Sequence, residues 1–174
     1  LNEVPFSVDL AVLLIPPKAV PKSLAECARN GVKGVVIASE GFAEAGAQGK
    51  KYQDEVRAIL RSTGMRGFGP NTMGICNPHI DFFCTGTAVR PRPGSTAMVA
   101  QSGNMGTQLL AFAEKQGIGI RAFSGSGNEA MITIEDYMEG FAVDDLTKTV
   151  MLYIESVKDG RRFFESARRA SRQK

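Results

Sequence analysis

The sequence predicts an α/β protein built from two α/β units in tandem, and three observations carry that prediction. Short apolar runs rich in Val, Ile and Ala alternate with longer segments whose apolar residues recur at helical spacing. The opening run is apolar almost throughout rather than at every second position, as in a strand covered on both faces of a parallel sheet. Each run stops at Gly, Pro, Ser or Asn, the residues that end strands in tight turns.

The elements follow in order. Val8 to Ile15 (VDLAVLLI) reads as a buried strand, ended by Pro16 and Pro17. From Lys18 to Asn30 the positions Val20, Leu24, Cys27 and Ala28 share one helical face, and Asn30-Gly31 supplies the stop. Gly34 to Ala38 is a second strand with Ser39-Glu40-Gly41 as its turn. After a Gly/Ala-rich loop, a helix beginning at Lys50 carries Tyr52, Val56, Ile59 and Leu60 until Gly64, and Met65 to Phe68 is a third strand broken by Gly69-Pro70-Asn71-Thr72. This β-α-β-α-β order implies parallel strands joined by right-handed crossovers. Residues 75–95 have Pro and Gly without a clear period, and there Phe82, Phe83 and Val89 form a short strand or pack under the loop. Arg90-Pro91-Arg92-Pro93-Gly94 is read as the boundary between units. The pattern then restarts: strand 96–100, helix 103–116, strand 118–123, helix 132–142, strand 148–154 and helix 159–172.

Composition narrows the function classes. With 43% apolar and 22% charged residues the chain is globular rather than disordered. No apolar run approaches bilayer-crossing length and no basic-then-apolar leader opens the chain, so the expectation is a cytoplasmic protein off the membrane. Cys27, Cys76 and Cys84 include no C-x-x-C pair and have only His79 for company, which argues for reduced thiols and against a metal site. Residues 158–174 hold seven Lys or Arg against two acids. That run reads as the solvated face of one amphipathic helix rather than a nucleic-acid patch.

Ligands of open parallel sheets bind beyond the carboxyl ends of the strands. There the chain places Pro16-Pro17-Lys18, Ser39-Glu40-Gly41, Gly69-Pro70-Asn71-Thr72, Gln101-Ser102-Gly103, Gly125-Ser126-Gly127-Asn128 and Glu155-Ser156-Val157-Lys158. Turn chemistry alone accounts for part of this pattern. Glu40 and Glu155 admit two readings, a functional carboxylate or a cap for the next helix. The stretch Ala97 to Gly106 reads as strand, tight turn and helix start; the first amides of such a helix lack partners within it and suit an anion such as phosphate. Gln-Ser-Gly-Asn is not a G-x-S-x-G elbow, and the chain has neither a G-x-G-x-x-G turn nor a G-x-x-x-x-G-K-[ST] loop.

Four motifs in order, Gly69-Pro70-Asn71, Ala100-Gln101-Ser102-Gly103, Gly125-x-Gly127-Asn128 and Tyr153-Ile154-Glu155-Ser156-Val157-Lys158-Asp159-Gly160-Arg161-Arg162-Phe163, make the chain resemble the NDP-forming acyl-CoA synthetases, and more distantly the α subunit of succinyl-CoA synthetase. The resemblance runs from Val8 to Arg172. It implies a partial Rossmann-like CoA-binding domain at 1–90 and a flavodoxin-like ligase domain at 95–174. The implied reaction interconverts acyl-CoA, phosphate and ADP with acid, CoA and ATP through an acyl phosphate and a phosphohistidine. The implied CoA site comprises Pro16, Pro17, Lys18, Ser39, Glu40, Gly41, Asn71 and Thr72. Ser102, Gly103, Asn104 and Met105 are implied to hold the phosphoryl group, and Glu155 to match the acid that hydrogen-bonds the phosphohistidine. A carboxylate in that role fixes one ring nitrogen as a donor and keeps the other nucleophilic.

Several departures accompany the likeness. Thr72 stands where the family usually has Cys, and Glu129 follows Asn128 where Lys is common. The opening βαβ of the CoA domain is not found ahead of Leu1, and the segment carrying the phosphorylated histidine is not found before Lys174; His79 is not that residue. The resemblance therefore implies an internal piece of an enzyme, inactive alone. Its nucleotide, ADP or ATP with Mg, would be bound by an ATP-grasp domain or β subunit outside this chain, within an oligomer. The alternative is a non-catalytic CoA or acyl-CoA sensing module of a protein acetyltransferase.

Overall fold

A computed structural model describes residues 4–174, so the first three positions of the expected domain 1–90 lie outside the described residues. The chain forms two compact units. The first comprises Leu1–Thr72 with Gly127–Ile132, the second Met73–Ser126 with Thr133–Lys174. Among the described residues no helix is long and apolar enough to cross a membrane.

The first unit has three parallel strands, β1 (Leu10–Leu13), β2 (Gly34–Ile37) and β3 (Arg66–Phe68), in the order β1-β2-β3. Helices α1 (Val20–Arg29) and α2 (Ala47–Thr63) form the crossovers. The core joins Leu13, Val35 and Ile37 of the sheet to Val20, Leu24 and Cys27 of α1 and Val56 and Leu60 of α2. Gly64 ends α2 with φ 71°, a left-handed conformation that carries no penalty in glycine. Phe42, fully buried, anchors the loop between β2 and α2 in this core. Ala130 completes it from the 127–132 segment, whose backbone is tied down by Asn128 N–H to the Pro70 carbonyl and Ala130 N–H to the Gly69 carbonyl, both 2.9 Å.

The second unit holds a five-stranded mixed sheet in the order β5-β4-β7-β6-β8. Its strands are β4 (Gly74–Asn77), β5 (Phe82–Thr85), β6 (Pro93–Ala100), β7 (Ile120–Gly125) and β8 (Thr149–Tyr153). β6 lies between β7 and β8 and is parallel to both, as the βαβ rhythm predicts, and its last four residues are buried. β4 and β5 form an antiparallel hairpin added at the β7 edge. Helices α3 (Gly103–Lys115), α4 (Ile134–Val143) and α5 (Gly160–Gln173) complete the unit. Met98, Ala100, Leu110, Ile120 and Phe123 form one buried cluster, and Met138, Ala142 and Ala170 join α4 to α5 in a second. The Pro-rich stretch 90–94 lies inside this unit, with Pro93 opening β6 and the Arg90 guanidinium 4.7 Å from the Phe83 ring centre. His79 caps the hairpin, its Nε2 2.8 Å from the Gly94 carbonyl oxygen.

The basic run of α5 is divided in role. Arg162 reaches Asp136 at 2.6 Å and Glu139 at 2.7 Å on α4, while Arg161, Arg168, Arg169 and Arg172 are exposed.

Candidate functional site

Each unit places polar residues at the carboxyl ends of its parallel strands. In the first, Leu14, Ile15, Pro16, Pro17, Ala38, Ser39, Glu40 and Asn71 line an open cleft of about 470 Å³. Five of the eight residues expected at a CoA site, Pro16, Pro17, Ser39, Glu40 and Asn71, thus share one cavity wall. The other three do not line it. Lys18 is exposed on the 3-10 turn Pro17–Ala19, and Thr72 is buried. Gly41, at φ 93°, brings its backbone against the Pro17 ring, where an added Cβ would stand 2.9 Å from Cγ.

Hydrogen bonds hold the loops of this cleft together. The Ser39 hydroxyl accepts from Ile15 N–H at 3.0 Å and donates to the Leu13 carbonyl at 3.4 Å, and the Ser39 carbonyl accepts from Asn71 N–H at 2.9 Å. Ser39 therefore shapes the cleft by tying three loops. Glu40 is exposed at its rim and is not a helix cap. The neighbouring Glu44 takes the local capping role instead, its Oε1 accepting from the Gly41 and Phe42 amides at 2.6 and 3.0 Å. Burial pushes the Glu44 carboxyl up, but hydrogen bonds from the Asn128 amide and nearby backbone N–H groups outweigh it and hold the group below the usual range. Asn128 donates to Glu44 and, at 2.9 Å, to Gln53 Oε1, and its Oδ1 accepts from Asn71 Nδ2 at 3.4 Å. Gln53 and Glu44 carry no signal in the sequence, because they lie 75 and 84 positions from Asn128 and leave no spacing pattern. Glu129 is buried with φ 55°, so the acid after Asn128 is turned into the protein.

In the second unit the turn between β6 and α3 has the predicted form. Ser102 is the N-cap, its hydroxyl accepting from Met105 N–H at 3.4 Å, and its carbonyl accepts from Gly106 N–H at 2.9 Å. The Gly103 and Asn104 amides, at the first two helical positions, lie where no intrahelical acceptor exists. Space at Gly103 is open: an added Cβ would meet only the Met73 Cβ, at 3.5 Å. Glu155 follows the adjacent parallel strand β8 and is exposed. It is not a helix cap, since Asp159 caps α5 by accepting from Arg162 N–H at 3.0 Å. The two turns are joined by Gln101, whose Oε1 accepts from Glu155 N–H at 2.6 Å and Ser156 N–H at 2.8 Å while Nε2 donates to the Ser156 carbonyl at 2.8 Å.

Farther along the same loop, Glu135 Oε1 accepts from the Lys158 and Asp159 amides at 3.2 and 3.0 Å. Burial pushes the Glu135 carboxyl up, but the Thr133 hydroxyl and those amides outweigh it and hold the group ionised below the usual carboxylate range. No trio of His, Cys, Asp or Glu that could hold a metal ion occurs among the described residues.

Comparison with known proteins agrees with this two-part layout. Residues 1–78 match the CoA binding domain family and residues 93–174 the succinyl-CoA ligase like flavodoxin domain family. The whole chain is 40% identical to the acetate–CoA ligase [ADP-forming] II subunit alpha of Pyrococcus furiosus, covering 38% of it. A crystal structure of a Pyrococcus horikoshii protein superposes with a TM-score of 0.94 at 37% identity, over 99% of this chain and 39% of that one. The dinucleotide forming acetyl-coenzyme A synthetase 1 of Ca. Korarchaeum cryptofilum, in complex with phosphate and ADP, gives 0.93 at 31% identity, over 99% of this chain and 37% of that one. The chain thus spans less than two-fifths of the length of each. The turns at Gly69-Pro70-Asn71, Gln101-Ser102-Gly103 and Glu155 fall within the two matched domain types, so the chain joins a CoA-binding domain to a succinyl-CoA ligase like flavodoxin domain and is similar over its whole length to part of the ADP-forming acetate–CoA ligases.

Proposed function

We propose that this chain is the CoA-binding and phosphoryl-holding part of an ADP-forming acyl-CoA ligase, which interconverts acyl-CoA, phosphate and ADP with acid, CoA and ATP through an acyl phosphate and a phosphohistidine. The observation that carries the reading is the Ser102-capped start of α3, with the Gly103 and Asn104 amides at its open end, on the strand next to the one that delivers Glu155. Those amides and the helix dipole suit the phosphoryl oxygens. The exposed Glu155 carboxylate has the chemistry to accept from one imidazole nitrogen and leave the other for phosphoryl transfer. CoA would be taken by the first unit's cleft, where Pro16 and Pro17 give an apolar wall and Ser39, Glu40 and Asn71 a polar one. Lys18, Gly41 and Thr72 act there indirectly, through charge and loop shape. The nucleotide with its Mg belongs to an ATP-grasp region or partner subunit, consistent with the chain covering only part of its relatives.

Gly103→Val tests this in the full-length protein. The open space at Gly103 accommodates the side chain, while the branched carbons shield the free amides from an anion. Losing one hydrogen bond to a charged group removes roughly 1.5–3 kcal/mol, a fall in phosphate affinity of about tenfold or more. Titration calorimetry with phosphate reads the affinity, and circular dichroism checks the fold. Unchanged phosphate binding in folded Gly103→Val rejects the α3 start as the phosphoryl site.

A further inference from the structure

We propose that Gln101 is a positioning residue for Glu155, fixing the backbone from which that carboxylate is presented. This rests on the reading of Glu155 as the acid that orients the phosphorylated imidazole. The segment Glu155–Asp159 carries exposed side chains and forms no regular element, yet four of its amides are bonded by two buried side chains. Gln101 holds Glu155 and Ser156, and Glu135 holds Lys158 and Asp159. Those four amides are therefore spent on the protein and are not donors to an anion. What the loop offers to chemistry is the Glu155 side chain.

Gln101 suits this task by residue type. It accepts from two amides and donates to the Ser156 carbonyl from the same end of one side chain, and the Gln carboxamide offers both. A carboxylate keeps the acceptors and lacks the donor. The residue is 8% exposed at the end of β6, so little water competes for these bonds. Fixing the backbone ahead of reaction removes ordering cost from the step that uses Glu155, and displacement of a catalytic group by about 1 Å can slow a reaction roughly a hundredfold.

The test is a double-mutant cycle in the full-length protein, read as the rate of histidine phosphorylation and dephosphorylation. Gln101→Met, similar in volume but without the amide, should slow transfer at least about tenfold while leaving the KM for CoA unchanged. It should also speed hydrogen exchange at the Glu155 and Ser156 amides. Gln101→Glu, which keeps the acceptors but sets a carboxylate oxygen against the Ser156 carbonyl in place of the donor, should fall between Gln101→Met and wild type in both readouts. In a Glu155→Gln background, Gln101→Met should add no further slowing. If Gln101→Met does not fold, Gln101→Asn, one methylene short of the loop, carries the same expectations. Slow Glu155→Gln with wild-type transfer in Gln101→Met, or equal slowing by Gln101→Met in both backgrounds, overturns the positioning role alone. Wild-type transfer in Glu155→Gln refutes the reading of Glu155 and this proposal with it.

Discussion

Two Gly→Ala substitutions, at Gly49 and Gly140, should move stability in opposite directions although helix propensity treats them alike. Both glycines lie within helices, α2 and α4, and an alanine in a helix interior is worth up to about 1 kcal/mol over glycine. Around Gly140 no atom lies within 4 Å of an added Cβ, so Gly140→Ala should gain close to that amount. At Gly49 the Cβ would overlap the Phe42 carbonyl oxygen and stand 2.6 Å from the Phe42 carbonyl carbon and 2.8 Å from the Gly41 oxygen. All three are backbone atoms, so no side-chain rotation relieves the clash. The loop has to retreat, drawing the Phe42 ring from the core and shifting the turn that carries Glu40. Overpacking of this kind costs roughly 1–3 kcal/mol; at the upper end, after the propensity gain, the net loss is about 2 kcal/mol. In a chain of this length that is a fall in Tm of ~4–8 °C for Gly49→Ala, against a rise of ~2–4 °C for Gly140→Ala. Urea unfolding and thermal melts followed by circular dichroism measure both. Stabilisation of Gly49→Ala by as much as Gly140→Ala would refute the close helix-to-loop approach as the reason for glycine at position 49.

Three further outcomes concern charge and thiol chemistry. Asp144 makes a two-point ion pair with Arg121, at 2.9 and 3.0 Å, with about a fifth of each side chain exposed. Discounting the 3–5 kcal/mol of a fully buried broken pair for that exposure, Asp144→Ala should cost roughly 2 kcal/mol. Burial pushes the Asp144 carboxyl up, but hydrogen bonds from Arg121 and Thr147 hold it below the usual range; burial likewise raises Asp136, where Thr133 and Arg162 outweigh it. Groups whose folded pKa is depressed contribute stability above the unfolded value, near 4, and lose it as pH falls through the folded one. Melting of the second unit should therefore be flat above roughly pH 5 and fall with acidification, less steeply in Asp144→Asn. An Asp144→Asn melting curve parallel to wild type would show that Asp144 is not one of the groups responsible. Burial raises the Cys76 thiol to about 11, so at neutral pH its reaction with an aromatic disulfide reagent should wait on unfolding. Rapid labelling of Cys76 in the native protein would contradict that.

The parts of this fold that a sequence displays are those with a period or a punctuation mark. The Gly34–Ile37 run, the α1 face of Val20, Leu24 and Cys27, and the Ser102 cap were legible because neighbours in the chain share the same environment. The β4-β5 hairpin was only half visible. Its strands have four residues each, and the Pro78-His79 turn that follows Asn77 looks like any loop until Asn77 Oδ1 is seen accepting from His79 N–H at 3.2 Å. The turns of the candidate site could be named, yet not what joins them. Gln101 lies next to a residue with an assigned role, but its bonds run 54 and 55 positions ahead, and Asn128 reaches back 84 to Glu44. Long-range polar bonds of this kind leave no local pattern in composition or spacing.

The strap Gly127–Ile132 makes the smaller unit discontinuous in sequence. It leaves β7 of the larger sheet and gives Ala130 to the core around Phe42 and Leu60 before the chain resumes in α4. A single cut at Thr72 therefore does not release an intact unit; it removes part of the core and the Asn128 amide that helps hold the Glu44 loop. Exchange of the larger unit between relatives would carry a foreign strap into a resident core. The pieces that can be recombined without loss are defined by which residues pack together, and here that grouping crosses the order of the chain.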